Sequence, residues 1–176
     1  MTNKLINTVL QKTAMIIIIS FVFITACTKH ETYSVIPEIE YKSFDKIHTS
    51  TGIDNKAYLT ISFTDGDGDI GLNPEDTFPP YNANSPYYYN FIIDYYELQN
   101  DSFVKIDLPL TNNSRIPYVD ANLAERGIKG EITIELFFNN IMSTSDSIRY
   151  EIYIFDRALH KSNVIMTPSI YVKKSP

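Results

Sequence analysis

From residue 57 to residue 64 the chain alternates apolar and polar side chains without a break. Leu59, Ile61 and Phe63 fall on one face, and Tyr58, Thr60 and Ser62 on the other. A period of two is the mark of a strand with one buried face. The pattern recurs along the chain. Ile39 and Tyr41, and then Phe44, stand against Glu38, Glu40 and Lys42. Ile132, Ile134 and Leu136 stand against Glu131, Thr133 and Glu135. Ile148, Tyr150, Ile152 and Ile154 line one side of 147–155. The Tyr- and Ile-rich stretch 87–98 and the stretch 103–108 predict a hairpin around a turn at 99–102. Residues 164–172 predict a last strand kinked at Pro168.

About seven strands, no amphipathic helix and no internal repeat predict an all-β fold. The expected form is a seven-stranded antiparallel immunoglobulin-like sandwich over 37–174, with a small barrel as the alternative. The chain has no Trp and a single Cys, so it is not an antibody-type domain.

The N-terminus follows a different logic. Lys4 and Lys12 give a positive start, and an apolar run over 14–24 is short for a bilayer span. The run ends in Ile24-Thr25-Ala26-Cys27, which resembles the lipobox of bacterial lipoproteins. The expectation is a signal peptide over 1–26, lipidation at Cys27, and a polar tether over 27–36. Thr28, where Asp would retain such a protein elsewhere, agrees with an outer-membrane destination. Which face of that membrane the domain would occupy is left open. A lone, lipidated cysteine also leaves no disulfide and no catalytic thiol, so an exported domain must rely on its core and on any metal it holds.

The 176 residues carry a formal charge of −6. Without 1–26, which holds two Lys and no acid, 13 basic residues face 21 acidic ones, a net of −8. This excludes nucleic acid as a favoured partner, since phosphate contacts need a basic face, and it suits a cation.

Candidate chemistry concentrates in the connections. If each strand reverses direction, the connections 65–86, 109–127 and 156–163 fall at one end of the sandwich. These are the longest or most polar ones, and long loops on a rigid scaffold mark a functional end. The first opens with Asp65-Gly66-Asp67-Gly68-Asp69. Phe63 to Gly71 resembles the strand-end acidic motif of bacterial immunoglobulin-like and cadherin-like modules. Tyr153 to Asn163, with Asp156 at the strand end, is similar to their late motif, although Leu159 stands where that turn often has Gly. With the lipobox, the chain resembles small surface lipoproteins of Bacteroidota-type bacteria. The resemblance implies a fold and a site, not a reaction.

Asp65, Asp67 and Asp69 offer hard oxygen ligands, which favour Ca²⁺ or Mg²⁺ over Zn²⁺. The frame is not an EF-hand, because Ile70 occupies its glycine position and Asp76 its bidentate-Glu position. Other loops must complete the shell. Asp156 is the first candidate, followed by Asp120, Asp76, Glu75 and Asn163. The competing reading is a solvated Asp-Gly turn without an ion. A real ion would be structural, pinning two loops of a domain that lacks disulfides.

Tyr81, in the long connection, is a candidate ligand-binding aromatic for a glycan. The tyrosines between 87 and 96 read as sheet packing. His30, His48 and His160 are scattered, and no hydrolase, metalloprotease or nucleotide motif occurs. The expectation is a membrane-anchored, non-catalytic binding or adhesion module with a structural Ca²⁺ site and an envelope protein or glycan as partner. An accessory subunit of a cell-envelope complex is the alternative, and a small hydrolase the least favoured reading.

Overall fold

Eight strands form among the described residues: β1 (Glu38–Ile47), β2 (Lys56–Asp65), β3 (Phe91–Gln99), β4 (Ser102–Lys105), β5 (Ile128–Phe137), β6 (Ser147–Ile154), β7 (Ile165–Met166) and β8 (Ile170–Tyr171). They come from a computed structural model that describes residue 6, residues 12–13 and residues 32–47, 49–119 and 127–174. Cys27, Asp120, His30 and His48 lie outside the described residues, as does most of 1–26. The chain divides into two compact units, Met1–Glu31 and Thr32–Pro176, and the second holds all eight strands.

The strands make two antiparallel sheets. One has the order β1-β2-β5; the other runs β4-β3-β6-β7, with β8 also on β6. The inward row of β2, Ala57, Leu59, Ile61 and Phe63, is buried and packs with Ile148, Tyr150, Ile152 and Ile154 of β6 in one core. Tyr58, Thr60 and Ser62 take the other face, as the period of two requires.

The spacing of Ile39, Tyr41 and Phe44 has a structural cause. The register of β1 on β2 shifts between Tyr41 and Ser43. One extra residue changes the parity, so Phe44 points inward again. Its ring lies 5.1 Å from that of Phe138 and 6.0 Å from that of Tyr150.

The expected strand over 87–98 begins only at Phe91. Tyr87, Tyr88 and Tyr89 are half-buried and stand outside the ladder. The ladder begins where the connection from β4 to β5 returns along β3. Phe91 exchanges both backbone hydrogen bonds with Ser114. The Ile93 N–H donates to Asn113 Oδ1, and the Ile106 N–H to the Tyr95 carbonyl. The last strand is split around Pro168 into β7 and β8. Thr167 fills the gap: its Oγ1 accepts from the Tyr150 N–H and its own N–H donates to the Tyr150 carbonyl.

Two neighbouring core tyrosines meet opposite fates. Their ring centroids are 5.7 Å apart. Tyr95 donates its hydroxyl to Glu97, whereas the fully buried Tyr150 hydroxyl has no partner. An unpaired buried hydroxyl carries a desolvation cost that its removal recovers. Tyr150→Phe is therefore expected to be neutral or stabilising by about 1 kcal/mol, and Tyr95→Phe destabilising by about 1–2 kcal/mol. Urea denaturation of both variants checks this, and equal losses would contradict it.

Candidate metal centre

Strand β2 ends on Asp65, and the fold turns that end inward. Asp65 is 0 % exposed. The next residue must be glycine: a Cβ on Gly66 would lie 2.4 Å from the Tyr33 carbonyl oxygen. The Gly66 N–H donates to the Ser34 carbonyl at 2.7 Å, so residues 33–34 pass directly over the acidic turn. Gly68 has a φ of +68°, which lets the chain double back and bring Asp69 beside Asp65.

The second half of the site comes from the residues after β6. Asp156 is 1 % exposed. Backbone bonds stitch its turn to the acidic loop: the Arg157 N–H donates to the Asp69 carbonyl, and the Ala158 N–H to Asp69 Oδ2 at 3.0 Å. Leu159 holds a φ of +69°, at the position where glycine would be at ease. A left-handed conformation in a non-glycine residue costs on the order of 1–3 kcal/mol and persists only where its surroundings enforce it.

One carboxylate oxygen from each of Asp65, Asp69 and Asp156 lies within 4.8 Å of the others. Two ligands of one Ca²⁺ are at most about 4.6–5.2 Å apart, from bond lengths of about 2.3–2.6 Å, so a single ion can touch all three. Hydrogen bonding separates these acids from ordinary ones. Neither Asp65 oxygen has a hydrogen-bond partner of normal geometry, and the same holds for Asp69 Oδ1. Both Asp156 oxygens are held by His160, through its N–H at 2.7 Å and its Nδ1 at 2.8 Å.

The electrostatics follow. Burial, and then the charges of Asp67, Asp69 and Asp156, push the Asp65 carboxyl up to about 7, and the Asp69 N–H offsets this only in part. Burial and the Asp156 and Asp67 charges also raise Asp69. The hydrogen bond to Asp156, reinforced by its charge, raises His160.

Glu97 makes an informative comparison. It too is a buried carboxylate, at 4 % exposure, and burial alone would raise its pKa. Hydrogen bonds from Ser143, Tyr95 and Asn140 outweigh burial and hold it below the usual carboxylate range. The chain thus surrounds one buried acid with donors and gives Asp65 only the poorly aligned Asp69 N–H. A carboxylate so short of donors among other carboxylates is chemically matched to a hard cation.

The remaining candidates are placed as follows. Asp67 is exposed at the rim and acts on Asp65 and Asp69 through its charge. Asp76 is taken up by Arg157, whose Nη1 lies 2.5 Å from its Oδ2. Glu75 is exposed. Asn163 faces β1: its Oδ1 accepts from the Ile39 N–H and its Nδ2 donates to the Ile39 carbonyl. Tyr81 donates its hydroxyl to the Arg157 carbonyl, which fastens the long connection to the turn after β6.

His160 and Arg157 take roles that the sequence did not assign them. Arg157 has its guanidinium 5.8 Å from the ring of Tyr81 and 5.5 Å from that of Tyr118. Arg115 donates to the carbonyls of Asn73 and Asp76, and the Leu72 N–H donates to the Ile116 carbonyl. All three long connections are therefore joined around the acidic turn. For His160 the available signal was its spacing of four from Asp156, which lets one residue satisfy both carboxylate oxygens.

Scans of protein-family models, of curated proteins and of solved structures each returned no match to this chain. What it does must be argued from its own residues.

The raised Asp65 pKa fixes a pH dependence for the ion-free chain. The folded state holds the Asp65 proton more tightly than the unfolded state, so the contribution is full below the ordinary value of 3.8 and is lost as pH rises to about 7. In chelator, the melting temperature is expected to fall across this window, and Asp65→Asn to remove most of the fall. An unchanged profile in the variant would contradict the assignment.

Proposed function

We propose that this chain is a membrane-tethered, non-catalytic binding module whose loop end is locked by one structural Ca²⁺ ion. The observation that carries the reading is the fully buried Asp65 carboxylate, which has no hydrogen bond of normal geometry and two further carboxylates beside it. An ion between Asp65, Asp69 and Asp156 would neutralise them and tie the turn after β2 to the turn after β6. Backbone carbonyls and water would fill the rest of a shell of about 6–8 oxygens. Asp67 is close enough in charge to add to the attraction from the rim.

The tether belongs to the same reading. Cys27 is the lipidation site, 1–26 the cleaved signal peptide, and the outer membrane the destination. The strand order of the two sheets supports an immunoglobulin-like sandwich, with β7 and β8 as two pieces of a seventh strand. Residues 33–34 cross the acidic turn, so the ion would sit where the domain meets its anchor.

Hydrolysis fits the site less well. Paired catalytic carboxylates of glycosidases stand about 5–5.5 Å or about 6.5–9.5 Å apart with substrate between them. Here three acids converge on one point, and Asp65 is closed to solvent. A second reading, an accessory subunit of an envelope complex, is favoured by a different observation. Leu110, Phe137, Ile141 and Met142 are all more than half exposed. Leu110 and Phe137 line one cavity of about 390 Å³.

The test is thermal unfolding of the full chain with Ca²⁺ and with chelator. One site at a hundred times its Kd adds about 2.7 kcal/mol. For a domain of this size that raises the melting temperature by on the order of 8 °C. Asp65→Asn and Asp156→Asn should each abolish the shift, while Asp67→Asn should reduce it. No shift in the unaltered chain, or a full shift in both buried-site variants, would overturn the reading.

A further inference from the structure

The two sheets offer several edges among the described residues, and β5 is the longest one without a break. An exposed strand edge presents unpaired N–H and C=O groups, and proteins blunt such edges with bulges, charges, prolines or brevity. β1 carries the register shift between Tyr41 and Ser43. β4 has four residues, and β7 and β8 have two each, with Pro168 between them. The edge of β3 beyond β4 is capped by Ser114, Asn113 and Ile106. β5 has no bulge and no proline and is not short; its only blunting device is the outward charges of Lys129, Glu131 and Glu135. It runs ten residues, Ile128–Phe137, pairs with β2 without a register break, and has no strand on its other side among the described residues.

Its inward row is also left open. On β2 the inward residues Ala57, Leu59, Ile61 and Phe63 are buried. Their partners across the ladder on β5 are Leu136, Ile134, Ile132 and Gly130. Of these only Leu136 is fully buried; Ile132 and Ile134, with Ile128, are partly buried and pack against the core. Among the described residues, nothing covers this end of the apolar layer.

The outward row says what could close it. It reads Lys129, Glu131, Thr133, Glu135, Phe137. A second β5 laid antiparallel must keep inward residues opposite inward residues, which leaves only registers two residues apart. Centring the pair on Ile132 aligns residues 128–136 of both copies. Lys129 then faces Glu135 twice, Glu131 faces Thr133 twice, and Ile128 faces Leu136 twice. Shifting one step either way sets Glu131 against its own copy or twice against Glu135, and like charges directly opposite destabilise a ladder. The strand is self-complementary in one long register.

We propose that β5 is a self-association edge, through which two copies of this chain pair antiparallel about Ile132 into one continuous six-stranded sheet. The two-fold arrangement is closed, so it gives a dimer and leaves no β5 edge for a third copy. This does not depend on the metal centre.

The test is sedimentation equilibrium of the full chain in detergent, kept reduced so that Cys27 cannot link copies. A dimer is expected. Lys129→Glu and Glu135→Lys should each weaken it roughly tenfold, because each places two like-charge pairs in the ladder, and the double swap should restore it. Hydrogen exchange gives a second readout, with β5 amides better protected in concentrated than in dilute protein. A monomer at every concentration reached, a dimer indifferent to both single substitutions, or a double variant no better than the singles would each overturn the proposal.

Discussion

A buried carboxylate with no hydrogen bond of normal geometry is the constraint around which the loop end is built. Taking an ionised acid out of water is costly unless partners replace the water. At Glu97 the chain supplies Tyr95 and Asn140, and the acid is held below its usual pKa. At Asp65 it supplies other acids and a backbone that closes overhead. The protein can carry that arrangement by holding a proton, which is why the Asp65 pKa rises to about 7, or by holding a cation. The features around it fit the second. Gly66 admits the strap at 33–34, Gly68 turns Asp69 inward, and His160 fixes both oxygens of Asp156.

The connections then act as a frame for the centre. Arg157 binds Asp76, stacks near Tyr81 and Tyr118, and leaves its N–H on the Asp69 carbonyl. Arg115 holds the start of the long connection through the carbonyls of Asn73 and Asp76. These guanidiniums stand beside the acids but pair with other groups, so neither takes the place between the three clustered carboxylates. Asn163 extends the frame to β1. The left-handed Leu159 is the local cost of a turn tight enough to aim Ala158 at Asp69.

Much of the fold was legible because β2, β5 and β6 alternate so regularly that one face must be buried. Leu59, Ile61 and Phe63 could be assigned inward from the period alone. The irregular spacing before Phe44 already contained the bulge, but a bulge is recognised only when the partner strand is known. Tyr87 to Tyr89 misled for the opposite reason: their β propensity is high, yet the returning connection at 106–114 sets where the ladder begins. At the candidate site, Asp65, Asp69 and Asp156 could be brought together from reversing strands. That Asp65 closes a strand, fully buried, could not, because burial there depends on residues 33–34 crossing it. His160 and Arg157 were missed for the same reason, since their roles exist only once two distant turns are neighbours. Cys27 and Asp120 remain sequence expectations.

We propose one cation between Asp65, Asp69 and Asp156. Its most direct test is the number of Ca²⁺ ions bound per chain, counted by titration calorimetry on metal-stripped protein. One ion per chain is expected, and none after Asp65→Asn in a variant that still unfolds cooperatively. No binding to the unaltered chain, or undiminished binding after Asp65→Asn, would contradict it.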